Sequence, residues 1–283
     1  MTVSPLRRVR EVVFWSACLG ALALVLAPAV FIVASVVQQA GPTLNLGLLT
    51  RTTAAHGLQN AILGTLLLGA GVLIVAGPIG IAGGVYLAEF GPPRRSSWLR
   101  LGSETLAGIP SIVVGYVGYL VLDEELHWGY SLLAGILALS TIVLPYIVKA
   151  TEVAIRQVPT TLREGAAALG LPRTTTLRRV LLPPALPGIA SGLVVALAIS
   201  MGETAPLLYT VGFTDQNPGL SLFQHPVGYL TYVVFLNATL PTRLEHELAG
   251  AAGVVTVLFL LLLIGAGRLI GRQAARYAGR LPT

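Results

Sequence analysis

The sequence predicts an all-α membrane protein with six transmembrane helices. Of its 283 residues, 54% are hydrophobic and only 11% are charged. The mean hydropathy of +0.80 lies outside the range of water-soluble domains. Several apolar runs are long enough to cross a bilayer, which takes about 20 helical residues. Lysine and arginine collect in alternate connections between these runs, as is typical of multi-pass proteins.

The predicted spans are rich in glycine and alanine, which allow helices to pack closely in lipid. They cover residues 12–37, 61–87, 101–122, 129–148, 187–213 and 249–270. The first is about twice as long as a signal-peptide core and has no clear cleavage signal after it, so we interpret it as a retained anchor. It contains the only cysteine, Cys18, which excludes an internal disulfide.

The positive charges predict the orientation of the chain. Sixteen of the 18 lie before span one, between spans two and three, between spans four and five, or from Arg268 at the end of span six onward. Only Arg51 and Arg243 lie in the other connections, so both termini are predicted to be cytoplasmic. The net charge of +6 then reflects topology and contact with anionic membrane lipid, and no nucleic-acid partner is expected.

The sequence contains no pattern typical of an enzyme. It has no G-x-x-x-x-G-K-[ST] phosphate loop, and its only lysine, Lys149, ends a predicted span. Its histidines are far apart in the predicted outer connections, without an obvious nucleophile: His56, His127, His225 and His246. We therefore expect no catalytic residue, metal site or cofactor in this chain.

The longest predicted cytoplasmic connection contains a short helix, placed at residues 162–170. Thr161 and Glu164 have the spacing of a capping box, in which the threonine oxygen accepts from the Glu164 amide. Gly170 supplies a left-handed stop, and a proline soon after prevents the helix from resuming. About two turns of helix are unstable alone in water. The helix therefore packs beneath its own bundle, or its alanine flank at residues 166–168 enters a groove of another protein.

A second helical run, residues 174–182, follows this short helix. It leads through Pro183, Pro184 and Pro187 directly into span five. The pattern predicts a rigid lever that joins the short helix to a transmembrane helix.

Span five contains the strongest candidates for a path through the membrane. Glu203 is the only ionisable group well inside it, and a charge at that depth costs about 3 kcal/mol. Ser200, Glu203 and Thr204 share one helical face by their spacing, while Gly202 and Pro206 permit a bend. We interpret this face as a path lining. The alternative is that Glu203 lies at the outer interface or caps a buried polar group.

Span three contains a second marker. Pro110 is predicted to break the helix near mid-membrane and to free backbone groups, which Ser111 or a solvated cavity would satisfy. Glu104 is expected to pair with Arg100 at four-residue spacing, in preference to a gating role.

The short helix and the lever resemble the cytoplasmic signature of ABC importer permeases, E-A-A-x-x-x-G followed after nine residues by I-x-L-P. Two positions depart from it, Gly165 for alanine and Val180 for isoleucine. The matching residues are Glu164, Ala166, Gly170, Leu182 and Pro183. In the type I, MetI-like permeases that this pattern resembles, the helix is a coupling helix, so the resemblance implies ATPase docking through Gly165 and these residues.

Three longer stretches resemble the PstA-type permeases of phosphate importers. They are "LAGIPSIVVG", "KATEVAIRQVPTTLREGAAALG" and "GETAPLL". The resemblance covers residues 59–268, which we expect to form the permease core, after an N-terminal helix and loop at 1–58 and before a basic tail at 269–283. Family members commonly carry an arginine where this chain has Ile199.

The resemblance implies a subunit that moves inorganic phosphate by alternating access. Its implied partners are a homologous PstC-type permease, two ATPase subunits that bind ATP and Mg, and an extracytoplasmic phosphate-binding protein. The positive charge absent at Ile199 would come from the partner permease, or the passage would use hydroxyls and helix-end dipoles, or the solute would differ. Alternatives are a permease for molybdate or sulfate, and a non-conducting sensor or scaffold. The outer segment, residues 214–248, is expected to lie on the membrane or to meet a binding protein.

Overall fold

A computed structural model describes residues 5–41, 43–219 and 221–278, and every regular element within these ranges is helical. The α-helices are α1 (Pro5–Ala40), α2 (Gly47–Thr50), α3 (Gln59–Val85), α4 (Pro93–Ala107), α5 (Ser111–Gly118), α6 (Leu132–Arg156), α7 (Thr160–Ala168), α8 (Arg173–Thr175), α9 (Leu182–Gly202), α10 (Ala205–Thr210), α11 (Leu230–Thr239) and α12 (Arg243–Ala278). Three π-helical segments are also present. Tyr86–Phe90 extends α3, Tyr119–Glu125 extends α5, and Thr176–Leu181 joins α8 to α9. A single 3₁₀ turn covers Thr53–Ala55.

The apolar helices confirm the predicted all-α membrane fold. Within the described ranges, 5 helices are long and apolar enough to cross a bilayer, and a bent pair makes up to 6. The five are Val9–Ala40, Gln59–Phe90, Leu132–Arg156, Arg173–Gly202 and Arg243–Gly271. Predicted span three is the bent pair α4 and α5, broken as the sequence predicts from Pro110, whereas predicted span five is divided between α9 and α10.

The core of the bundle forms where α3, α6 and α9 pack against one another. Its largest cluster includes Val72, Leu139 and Val143, each almost completely buried. Small residues bring α3 close to α6: a Cβ on Gly80 would lie 2.6 Å from Cγ2 of Ile147. Close approach of backbones is how helices gain dispersion energy where lipid removes the hydrophobic drive between them.

Helix α1 lies at the edge of the bundle. It packs on α12 near its C-terminal end, where Gly250 lies against the backbone of Ala40. Residues 9–34 of α1 are exposed, including Trp15 and Phe31, which is the expected state of an apolar helix surrounded by lipid. Cys18 lies in this helix as an exposed free thiol.

Arginine and lysine side chains gather at one end of the bundle, which we call the basic end and define by Arg100, Lys149, Arg156 and Arg163. Helices α4 and α7 lie there, against the C-terminal ends of α3 and α6. The predicted lever is present, since one helical run extends from Arg173 through the π segment to Gly202. The short helix α7 is therefore connected through residues 169–172 and this run to the middle of the bundle.

Candidate translocation path and docking helix

Residues 108–110 break the third apolar segment, as the sequence predicts from Pro110. Helices α4 and α5 meet there at an angle of 92°. Pro110 forms the N-cap of α5, and its carbonyl accepts from the Val113 amide at 2.9 Å. The Ser111 hydroxyl makes no hydrogen bond among the described residues, so the alternative predicted from the sequence, a solvated cavity that satisfies the freed backbone groups, stays a prediction.

Residues 203–204 break the fifth apolar segment. Helix α9 ends at Gly202, Glu203 is extended with ψ 139°, and α10 restarts at Ala205 with a proline in its first turn. The prediction that Ser200, Glu203 and Thr204 share one helical face is therefore wrong. Ser200 is 1% exposed and donates to the Leu197 carbonyl at 2.8 Å, whereas Glu203 and Thr204 lie in the break and are half-buried.

Helix α11 holds this break in place. The Thr231 hydroxyl donates to the Glu203 carbonyl at 2.8 Å, and the Leu230 amide donates to the Thr65 hydroxyl at 3.0 Å. Tyr229, Leu230 and Val233 are buried in the bundle. This part of the outer segment is thus neither spread on the membrane nor free for a partner, and Thr231 is a site residue that the sequence analysis missed. A hydroxyl at the start of an apolar helix was the only available signal.

The two broken segments contact each other. A Cβ on Gly115 of α5 would lie 2.9 Å from the carbonyl oxygen of Pro206 in α10, and closer still to its Cα. One turn further on, a Cβ on Gly118 would lie 3.0 Å from Cγ2 of Thr210. The structure therefore joins the elements that carry "GIPSIVVG" and "GETAP" into one junction, which we call the α5–α10 junction and define by Gly115, Gly118, Pro206 and Thr210.

The charge of Glu203 has no partner in the described part of the chain. Its carboxylate forms no ion pair or hydrogen bond there. Ile199, at the position where an arginine is expected from the resemblance, packs against the largest hydrophobic cluster.

Helix α7 matches the predicted short helix at its C-terminal end but not at its start. Gly170 has φ +64°, its amide donates to Ala167 at 2.9 Å, and the Leu171 amide donates to Ala166 at 3.0 Å, which together form a Schellman motif. The prediction of a capping box is wrong. The helix begins at Thr160 after Pro159, so Thr161 already has helical backbone and makes no capping bond.

One face of α7 packs on its own bundle and the other is open. Leu162 contacts the cluster that contains Ile155 and Leu181, and Ala166 is only 4% exposed. The predicted smooth flank is therefore smaller than the sequence suggests, because Ala166 faces inward. The open face carries Glu164, Gly165, Ala167, Ala168 and, at 78% exposure, Leu169. Of the other predicted docking residues, Pro183 and Gly170 are exposed and Leu182 is half-buried.

Arg163 attaches α7 to two transmembrane helices, a role that the sequence analysis missed. Its guanidinium pairs with Glu89 in the π segment after α3 and donates to the Ile155 carbonyl at 2.8 Å near the end of α6. The last carbonyls of a helix have no intrahelical partner, so an arginine is well suited to satisfy them.

A second ionic group lies beside this one. The buried carboxylate of Glu152 pairs with Arg100 at 2.9 Å and with Arg156 at 3.0 Å. Both arginines also donate to the Leu87 carbonyl, at 3.4 and 3.3 Å. The predicted Arg100–Glu104 pair is wrong, because Arg100 lies on the bundle-facing side of α4 while Glu104 is exposed.

The comparisons with known proteins decide the family. Residues 80–276 match the family model described as the binding-protein-dependent transport system inner membrane component. The chain belongs to this family. It is therefore a multi-pass transport subunit of the plasma membrane and not an enzyme, and membership implies an ATPase and a substrate-binding protein as partners.

Curated relatives of this inner membrane component match between 70% and 95% of the chain. Phosphate transport system permease protein PstA 2 of Mycobacterium tuberculosis is 45% identical over 272 residues, which cover 95% of this chain and 90% of that protein. Phosphate transport system permease protein PstA of Xylella fastidiosa is 36% identical over 82% of each chain. The probable ABC transporter permease protein YqgI of Bacillus subtilis is 34% identical over 70% of this chain and 72% of its own.

Solved structures support the predicted fold of this inner membrane component. The MetNI methionine ABC transporter in an inward-facing conformation gives a TM-score of 0.59 at 20% identity, covering 81% of this chain and 97% of that chain. An amino acid ABC transporter with histidines gives a TM-score of 0.53 at 17% identity, covering 76% of this chain and 92% of that chain. These similarities confirm the MetI-like permease fold.

Proposed function

We propose that this chain is the permease subunit that moves inorganic phosphate through an ATP-driven importer. The observation that carries the proposal is the 45% identity, over 95% of the chain, to a protein named as a phosphate transport system permease. The breaks at residues 108–110 and 203–204 support it, because interrupted membrane helices free backbone groups of the kind that line transport pathways.

The basic end faces the cytoplasm in this proposal, as do both termini. Support comes from Arg94, Arg95 and Arg100 on α4 and from the arginines that flank α7, which follow the positive-inside rule. The opposite end, with the loop before α3 and the loop before α11, then faces the extracytoplasmic binding protein.

The path residues are Pro110, Ser111, Glu203 and Thr204, with Ser200 set behind them. Pro110 and Ser111 start α5, Glu203 and Thr204 lie in the second break, and the junction of Gly115 with Pro206 holds the two breaks together. Because Glu203 has no cationic partner in the described chain, a PstC-type permease would supply the positive charge. A cation bound at Glu203 would serve the same purpose.

The open face of α7 docks to one of two ATPase subunits, which bind ATP and Mg. Glu164, Gly165, Gly170 and Pro183 lie on or beside this face, and exposed Leu169 is a suitable apolar anchor. Ala166 and Leu182 support the face from behind. Movement of the ATPase would pass through the helical run Arg173–Gly202 to the break at Glu203.

Docking is tested by co-purification of the ATPase with Glu164→Arg and Leu169→Asp variants. Each is expected to retain at least about tenfold less ATPase than the wild type, because truncated interface anchors commonly cost 2 kcal/mol or more. Leu244→Asp is a matched control for Leu169→Asp, since Leu244 is also exposed but lies in the first turn of α12, at the end of the bundle opposite the basic end. Normal retention of ATPase by both variants would remove α7 from the interface.

The solute is tested by uptake into liposomes that contain the complete complex and its binding protein. We expect phosphate to stimulate ATP hydrolysis and to accumulate, with little competition from molybdate or sulfate. Accumulation of molybdate or sulfate without phosphate would favour the other oxyanion importers. Hydrolysis without movement of any of these anions would favour a sensor or scaffold.

A further inference from the structure

We propose that Arg163 is a positioning residue that transmits movement of the docking helix α7 to α4 and α5, by a route separate from the helical run into α9. The proposal rests on the transport function proposed above. The proposal starts from the two ionic groups at the basic end, Arg163 with Glu89 and Glu152 with Arg100 and Arg156. Together these side chains connect α7, the π segment after α3, α6 and α4.

The first link joins α7 to α3. Arg163 pairs with Glu89, and the side chains of the two residues are only 28% and 18% exposed. A pair this shielded from water holds its geometry better than a surface pair, which is usually worth less than about 1 kcal/mol. Arg163 also donates to the Ile155 carbonyl, so its guanidinium has a fixed orientation between α3 and α6.

The second link joins α3 to α4. Glu89 and Leu87 belong to the same π segment, Tyr86–Phe90, and the Leu87 carbonyl accepts from Arg100 of α4. Arg100 in turn pairs with Glu152, whose side chain is 4% exposed. A pull on Glu89 by α7 therefore acts on the short π segment that also holds Arg100.

The third link joins α4 to the path. Helix α4 contacts the bundle through a polar stripe that includes buried Ser96 and Arg100, while its other face is open, with Trp98 at 74% exposure. Helix α4 is therefore held to the bundle by this polar stripe and by its connection to α5 through residues 108–110, where the two helices meet at 92°. Rotation of α4 would turn α5, and with it Gly115 against Pro206.

The test uses charge reversal at the first link in the assembled complex. Arg163→Glu and Glu89→Arg are each expected to lower the phosphate moved per ATP hydrolysed by about tenfold, a typical size for coupling between sites. The double variant restores the opposite charges and is expected to recover most of the ratio. Arg243→Glu with Glu247→Arg is the control, because this pair at 2.9 Å lies on α12 away from the basic end.

A second readout needs no transported solute. Cys18 is the only cysteine, so a Cys18→Ser background with Ser97→Cys places one thiol on the exposed face of α4. Maleimide labelling of this thiol is expected to change when the ATPase is trapped with ATP and vanadate. Arg163→Glu should abolish the change and the charge-reversed pair should restore it.

The outcomes separate this proposal from the proposed function. If the wild-type complex moves no phosphate, the proposal that phosphate is the solute is wrong. The labelling result then decides the role of Arg163. The proposal is overturned if labelling responds equally in wild type and Arg163→Glu, or if the double variant shows no recovery in either readout. Glu89→Gln removes the charge without reversing it, and provides a milder variant if Arg163→Glu does not assemble. An unaltered labelling response in Glu89→Gln would also overturn the proposal.

Discussion

Gly115→Ala is the most informative single change, because it adds one methyl group at the α5–α10 junction. The new Cβ would lie 2.9 Å from the Pro206 carbonyl oxygen, whereas ordinary contact begins at 3.4 Å, and the Pro206 Cα is closer still. To bring the closest of these atoms to ordinary contact, the helices must separate by about one ångström. Overpacking usually costs about 1–3 kcal/mol, and the obstacle here is backbone that cannot rotate away, so we expect about 3 kcal/mol. That cost lowers the equilibrium constant for the packed junction, relative to the separated helices, by about 100-fold.

The assay is uptake by the reconstituted complex, together with thermal unfolding of the purified chain. Gly115→Ala should reduce uptake at least about tenfold and lower the Tm. Gly102→Ala is the matched control, since a Cβ on Gly102 of α4 meets nothing within 4 Å, and it should leave uptake unchanged and should not lower the Tm. Wild-type uptake and Tm for Gly115→Ala would refute the contact between the two broken segments.

Three further predictions concern charge and packing. Glu203→Gln should reduce uptake at least about tenfold with normal ATPase retention, and unchanged uptake would remove Glu203 from the path. Gly165→Ala should raise the free energy of unfolding by about 1 kcal/mol, because nothing lies within 4 Å of the added methyl group, and a lower Tm would show that the site is not open. Glu152→Gln should lower the unfolding free energy by about 3 kcal/mol by leaving Arg100 and Arg156 without a charged partner, and a denaturant titration with an unshifted midpoint would contradict this.

Hydropathy and local end signals predicted much of the fold. Apolar length located the membrane segments, Pro110 identified the first break, and Gly170 identified the end of α7, because each effect arises from neighbouring residues. The break at Glu203 was less accessible. Gly202 and Pro206 indicated a bend, but no local rule required the helix to stop, and the stop depends in part on Thr231 from α11.

The contacts across the bundle were not predictable from local spacing. The four-residue rule paired Arg100 with Glu104, whereas the folded chain pairs it with Glu152, 52 residues away, because only that carboxylate is buried against it. Arg163 was one arginine among many that indicated topology, and only packing shows that it joins α7 to Glu89. The junction of Gly115 with Pro206 likewise depends on the arrangement of α5 beside α10.

We propose that the break at Glu203 and Thr204 lies on the path and opens alternately to the two sides of the membrane. A Cys18→Ser, Thr204→Cys chain in the complete complex tests this with a membrane-impermeant maleimide, applied from either side. We predict labelling from the basic side without nucleotide and from the opposite side when the ATPase is trapped with ATP and vanadate. Labelling that is absent from both sides in every state, or equal in both states, would contradict the account.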